Sequence, residues 1–256
     1  MTQTISKNRQ FVPLILMIII GMTSIIPAYA VLPNHQQPTR ALAPSIQFKP
    51  HREIVVLIHG LMRTSLSMWP LKNYLIRQGY EVYSYSYPSP KYSIQEHGSY
   101  LSRFIKNLLE KNPGVRINFV THSLGGIITR EALSTLSKKQ LKNIGSLIML
   151  APPNQGSKLA KLSITMFPML TSPIKPLSEL SSDRSSYVHH VPVPNIKIGI
   201  IAGRYDAKVP PECARLEGYE PVIVNSNHTF IMNNTKTRQL IMSFLKTGTF
   251  VEVAKR

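Results

Sequence analysis

One cysteine, Cys213, stands in 256 residues, so no intramolecular disulfide can form in any compartment. It reads as a free, structural thiol. Aspartate is almost as scarce, with Asp183 and Asp206 the only two, and all acidic side chains together number 12 against 30 lysines and arginines. That basic excess is spread along the chain, without an arginine-rich run or a nucleic-acid motif, which argues against a nucleic-acid partner. No internal repeat is present. No histidine–cysteine cluster has zinc-ligand spacing and no calcium-ligand cluster is visible, so a metal is not expected. His189-His190, beside Pro192 and Pro194, reads as a loop feature.

Long apolar runs are confined to the N-terminus. Lys7 and Arg9 precede an apolar stretch over 11–26 that ends in Ala28-Tyr29-Ala30. This pattern predicts a cleaved signal peptide over 1–30 and export to the periplasm or the medium. The competing reading is an uncleaved anchor, since 11–30 is about long enough to span a bilayer. The small-x-small ending and the interior Pro13, Gly21 and Pro27 favour cleavage after Ala30. No cysteine lies there to carry a lipid. Without 1–30 the chain keeps 28 basic and 12 acidic side chains, +16 on 226 residues. Such a length fits one domain, expected as a monomer. The charge suits a solvated basic surface; a sharper reading is attraction to anionic membrane headgroups or an acidic envelope polymer.

After a Pro-rich leader over 31–52, short apolar runs alternate with stretches of helical period from 53 to 256. The alternation predicts a mostly parallel sheet with crossover helices on both faces. Six strands are expected, over 54–58, 81–87, 115–121, 146–151, 196–202 and 221–225. Helices are expected over 65–78 ending at Gly79, over Tyr100 to Leu109 closed by Asn112-Pro113-Gly114, over 127–136, and around Leu240 to Leu245 with Gly248 beyond. Tyr83, Tyr85 and Tyr87 alternate as one sheet face would, with no chemistry assigned. The connection over 152–195 is too long for a plain crossover. Its Leu159, Leu162, Met166 and Phe167 suit a small apolar flap over a site, or equally a helix packed at the sheet edge.

Thr121-His122-Ser123-Leu124-Gly125 follows an apolar strand and precedes a helix, the setting of a nucleophile elbow. There the serine hydroxyl is pushed above the sheet, so Ser123 is the candidate nucleophile. A serine hydroxyl needs a base in reach and a group to orient that base. Asp183 lies in the serine-rich 181–186 stretch and reads as a solvated loop residue. Asp206 follows the fifth strand and is the preferred acid, with Glu212 and Glu217 as weaker substitutes. Of eight histidines, His35 and His51 lie in the leader, His59 and His122 serve turns, and His97 comes too early in the order serine, acid, histidine. His228, after the last strand, is the candidate base. Oxyanion donors are expected from the N–H of Leu124 and of Leu61, or Met62 if the loop shifts by one.

Taken together, I-H-G-L-M-R, T-H-S-L-G-G, L-A-P-P-N-Q-G-S, G-R-Y-D-A-K-V and N-H-T-F resemble the α/β-hydrolase superfamily, and within it the small bacterial lipase and esterase branch related to class 2 lipases. The match covers 53–247. It implies Ser123, Asp206 and His228 as nucleophile, acid and base, and Leu61 and Leu124 as the oxyanion hole. Thr121 departs from the glycine usual at the first position of G-x-S-x-G. The reaction expected is cleavage of a carboxylic ester through an acyl-enzyme, lipase or esterase, with the acyl chain against Met62 and the 159–170 segment and no cofactor. Acyl transfer or thioester hydrolysis shares that chemistry. A non-catalytic module holding an envelope component is the reading from another class.

Overall fold

The computed structural model describes residues 53–166 and 168–251. The expected signal peptide, the leader and Phe167 lie outside the described residues. Six strands form one sheet: β1 (Glu53–Ile58), β2 (Glu81–Tyr85), β3 (Arg116–His122), β4 (Ile144–Leu150), β5 (Lys197–Gly203) and β6 (Val222–Val224). Their order is β2-β1-β3-β4-β5-β6, and every pairing is parallel. A parallel sheet must be covered on both faces, which is why runs such as EIVVLI and IGSLIML are nearly unbroken in apolar character.

The two faces divide by residue parity. Ile54, Val56, Ile58, Ile117, Phe119, Leu147, Met149 and Ile200 enter one buried cluster; Val55, Leu57, Val120, Ile148, Leu150 and Ile201 enter the other. Five longer helices flank the strands: α1 (Trp69–Arg77), α2 (Ile94–Lys111), α3 (Leu124–Ser134), α4 (Lys158–Met166) and α5 (Thr235–Thr247). Leu101, Ile105 and Leu108 of α2 and Ile127 and Ile128 of α3 seal the first face. Leu71 and Leu75 of α1 and Leu240, Ile241 and Phe244 of α5 seal the second.

Most elements lie within a few residues of their expected bounds, and two of the shifts have a visible cause. Helix α2 starts at Ile94, six residues before Tyr100, because Ser93 and Glu96 form a reciprocal capping box that starts it earlier. Strand β2 stops at Tyr85; Tyr87 leaves the sheet to stack on the His59 ring at 4.3 Å. Gly248 takes a left-handed φ of 77° just past α5, the expected helix stop.

The connection after β4 holds α4, the one-turn helices Pro168–Thr171 and Lys175–Glu179, and a 3-10 turn at Tyr187–His190. Leu159, Leu162 and Met166 are exposed. Glu179 ties this segment to the start of α2 by accepting from the Ile94 N–H at 2.7 Å. Asp183 pairs with Lys161 at the surface.

Chain order reverses direction at β1, since β2 lies on one side of it and β3 on the other. That switch opens a crevice beyond the carboxyl ends of β1 and β3. Ile58 is in register with Thr121, which sets the turn after β1 against the turn after β3. The contact is tight. A methyl on Gly125 would lie 2.7 Å from the carbonyl oxygens of both Ile58 and His59. Gly125→Ala is therefore expected to cost about 2 kcal/mol of stability as an overpacked substitution; a urea midpoint equal to that of the parent protein would show that the turns can move apart.

Candidate active site

Ser123 lies between β3 and α3, as the N-cap of the helix, with φ 52° and ψ −125°, a conformation that non-glycine residues rarely adopt. Its N–H donates to Leu150 O at 2.9 Å and its carbonyl accepts from the Gly126 N–H at 2.9 Å, so the turn is held from both sides. Small residues make room around it. A methyl on Gly60 would stand 3.0 Å from Ser123 Cβ, and one on Gly126 would press on Met149 and on Thr121 Oγ1. Thr121, where the usual motif has glycine, is fully buried with its hydroxyl 3.4 Å from Ile148 O. The neighbouring glycine in α3 leaves the space that its side chain fills.

Asp206 lies three residues past β5. Its Oδ1 accepts from the N–H groups of Lys208 and Val209 at 2.9 and 2.8 Å, and its Oδ2 meets His228 Nδ1 at 2.7 Å. The carboxylate is fully buried and the imidazole nearly so. These three bonds tie the carboxylate to one loop and one ring, which fixes the ring's orientation and leaves Nε2 as its second functional atom. Glu212 and Glu217, the weaker substitutes, are exposed and bond to neither nitrogen of His228 among the described residues.

His122, next to the elbow serine, is the floor on which His228 rests. Its Nε2 lies 2.9 Å from His228 O, and the two rings are 4.8 Å apart between centroids. Ser123 and His228 are thereby brought to one place, although no hydrogen bond joins their side chains among the described residues. Such contacts are often long before substrate binds.

The turn after β1 distinguishes Leu61, the donor expected there, from its alternative Met62. Met62 has a φ of 54°, and its N–H donates to Ser89 Oγ at 3.0 Å. Leu61 N–H has no acceptor among the described residues, and Leu124 N–H heads α3, where helix geometry supplies none. The pattern favours Leu61 over Met62 as the free donor.

A family model described as the alpha/beta hydrolase fold matches residues 53–170. The chain has the α/β-hydrolase fold. Among solved structures it is similar to mature Bacillus licheniformis lipase BlEst2, at 19% identity over 81% of this chain and 96% of that one, with a TM-score of 0.62. The metagenomic carboxyl esterase MGS0156 gives 17%, 78%, 71% and 0.58 for the same quantities. A Paleococcus ferrophilus monoacylglycerol lipase gives 18%, 78%, 96% and 0.56. At these identities the likeness is one of fold, and at that level the expected resemblance is borne out.

Within this hydrolase fold, Met62, Leu162 and Met166 are each more than half exposed and Leu159 somewhat less, while Phe167 lies outside the described residues. No group of three or more metal-binding side chains occurs among the described residues. Two contributors were not found from sequence. Ser89 lies 27 positions from the Met62 N–H that it holds, and no local pattern marks it. Asn154 receives Arg130 Nη1 on its Oδ1 at 2.9 Å and donates to Ala214 O at 2.8 Å, joining α3, the loop after β4 and the acid-bearing loop. The asparagine of L-A-P-P-N-Q-G-S was its only trace.

Two expected outcomes follow from this geometry. Left-handed strain at Ser123 should make Ser123→Gly more stable than Ser123→Ala by about 1 kcal/mol, although glycine ordinarily loses such comparisons; equal or reversed midpoints in urea would mean the turn is unstrained. Burial also holds His59, His97 and His122 below their ordinary value of 6.5. The unfolded chain then takes up protons near 6.5 while the folded chain does not, so stability is complete above that pH and declines as pH falls through it. Unfolding free energies at pH 7.5 and 5.5 should differ in that sense, and a flat profile would show that the folded rings protonate freely.

Proposed function

We propose that this chain is an exported serine hydrolase that cleaves carboxylic esters, a lipase or esterase, through an acyl-enzyme on Ser123. The observation that carries the reading is the 2.7 Å contact of His228 Nδ1 with a buried, fully bonded Asp206, on the sheet edge where an elbow serine is held in left-handed backbone. His228 Nε2 takes the Ser123 proton as Oγ attacks the ester carbonyl, and Asp206 stabilises the resulting imidazolium. The developing oxyanion lies between the Leu61 and Leu124 N–H groups, each worth about 3 kcal/mol in the transition state. Collapse expels the alcohol with the proton from His228; water repeats the cycle and releases the acid.

Met62, Leu159, Leu162, Met166 and Phe167 are proposed to receive the acyl chain, with the 152–195 segment as a flap. The exposure of Met62, Leu159, Leu162 and Met166, which lie outside the two buried clusters, supports this. Export rests on the segment over 1–30. The basic surface would bring the enzyme, as a monomer, to anionic envelope surfaces. An acid and base held this closely speak against a non-catalytic module.

Ser123→Ala is expected to abolish turnover of p-nitrophenyl esters and labelling by a fluorophosphonate, with the fold intact by circular dichroism. Retention of most activity would reject the assignment. Asp206→Asn should lower kcat by about 10⁴-fold through loss of the productive imidazole state; parent-like turnover would move the acid's role elsewhere.

A further inference from the structure

The segment over 86–93, between β2 and α2, takes no part in the reaction above. Two of its side chains, Tyr87 and Ser89, are nonetheless buried, and both reach back to the turn after β1. Tyr87 Oη donates to His59 O at 2.8 Å while its ring stacks on the His59 imidazole at 4.3 Å between centroids. Ser89 Oγ accepts from the Met62 N–H at 3.0 Å. These bonds span 28 and 27 positions of chain and fall on either side of Gly60-Leu61.

A trans peptide unit is planar, with its N–H pointing away from its carbonyl, so a bond to either group sets the direction of both. The unit joining His59 to Gly60 is held through its carbonyl by Tyr87, and the unit joining Leu61 to Met62 is held through its N–H by Ser89. Between them, the Gly60 carbonyl lies 3.0 Å from His59 Nδ1, which is the donor because a carbonyl only accepts. The N–H on the far side of that middle unit belongs to Leu61. Three consecutive units are thus held by side chains, and the central one presents the free donor. Such support is needed because Met62 sits at φ 54°, a strained conformation for a methionine, which persists only where its surroundings enforce it. The segment is braced in turn by His97 of α2, whose Nε2 lies 3.3 Å from Ser89 O and whose ring meets Tyr87 edge-on at 4.8 Å.

We propose that Ser89 and Tyr87 are positioning residues that aim the Leu61 N–H at the developing oxyanion, with Ser89 also turning the Met62 N–H away from it. The inference rests on the reading of Ser123 as the nucleophile. Neither side chain touches substrate in this scheme; each acts through the backbone of 59–62. An oxyanion donor works only where its distance and direction match the transition state, so a turn released from either bond loses rate and keeps its affinity for the ester.

The test measures kcat and KM for p-nitrophenyl butyrate, and Ki for an alkyl trifluoromethyl ketone, whose adduct with Ser123 sets its own oxyanion between the same donors. Ser89→Ala should lower kcat by about tenfold or more, the scale of a misplaced catalytic group, with KM changed less than about twofold. Tyr87→Phe keeps the ring and its stacking, loses only the bond to His59 O, and should lower kcat several-fold; it carries the same prediction if Ser89→Ala does not fold. In each variant the ketone Ki should rise by the factor by which kcat/KM falls, the signature of a contact made to the transition state. Ser102→Ala deletes another buried hydroxyl, bonded to Thr135 Oγ1 at 2.6 Å between α2 and α3, and should leave kcat and the ketone Ki as in the parent. Parent-like kcat and Ki in folded Ser89→Ala and Tyr87→Phe, a change confined to KM, or an equal loss in Ser102→Ala would overturn the positioning role while leaving the hydrolase reading intact. A parent protein that a fluorophosphonate does not label at Ser123 would instead remove the hydrolase reading, and this role with it.

Discussion

The approach of two backbone turns is the constraint on which the rest of the structure depends. β1 and β3 run in register to their carboxyl ends, and the turn after each must fit against the other. Gly60 and Gly125 permit that approach because any side chain at either would meet the opposing turn. The consequence is that an elbow serine and a free Leu61 N–H lie on adjacent loops before any catalytic group is considered. Asp206 and His228 are then brought together by the loops after β5 and β6. The chemistry is assembled from strand ends, and the helices matter chiefly by holding those ends in place.

The strands β1, β3, β4 and β5 were legible in sequence because each is a mostly apolar run, the composition that a parallel sheet buried on both faces demands. Helix α2 was only partly legible. Its first six residues include Gln95, Glu96 and Gly98, which dilute the apolar period, although the Ser93–Glu96 box was a sufficient signal for the start. The end of β2 was overestimated because Tyr87 continues the alternation of Tyr83 and Tyr85. Only the three-dimensional position of His59 shows why it departs, since Tyr87 Oη donates to His59 O at 2.8 Å.

Ser123, Asp206 and His228 were singled out by their order and by the scarcity of aspartate, and the structure sets Asp206 against His228. His122 was expected to serve its own turn, whereas the bond it makes is to His228 O, a contact across 106 positions. Ser89 and Asn154 were invisible for the same reason. Each acts through a neighbour that is distant in the chain, and none belongs to a pattern of local spacing. Residues that perform chemistry tend to sit in motifs, whereas residues that hold the motifs in place are specified by the fold alone.

The ties between the loop after β4 and the acid-bearing loop also bear on how this protein can be altered. Asn154 bonds to Ala214 O, Gln155 N–H to Cys213 O, and Ser157 Oγ to Lys208 O, so residues 154–157 are laced to 208–214 by three separate bonds. The two loops are 60 positions apart in part of this lacing. Recombination or loop grafting between hydrolases that crosses the chain between them would deliver an acid with the wrong supports. Exchange as a pair would carry the acid and its scaffold together, making the two loops a single inherited module despite the long segment threaded between them.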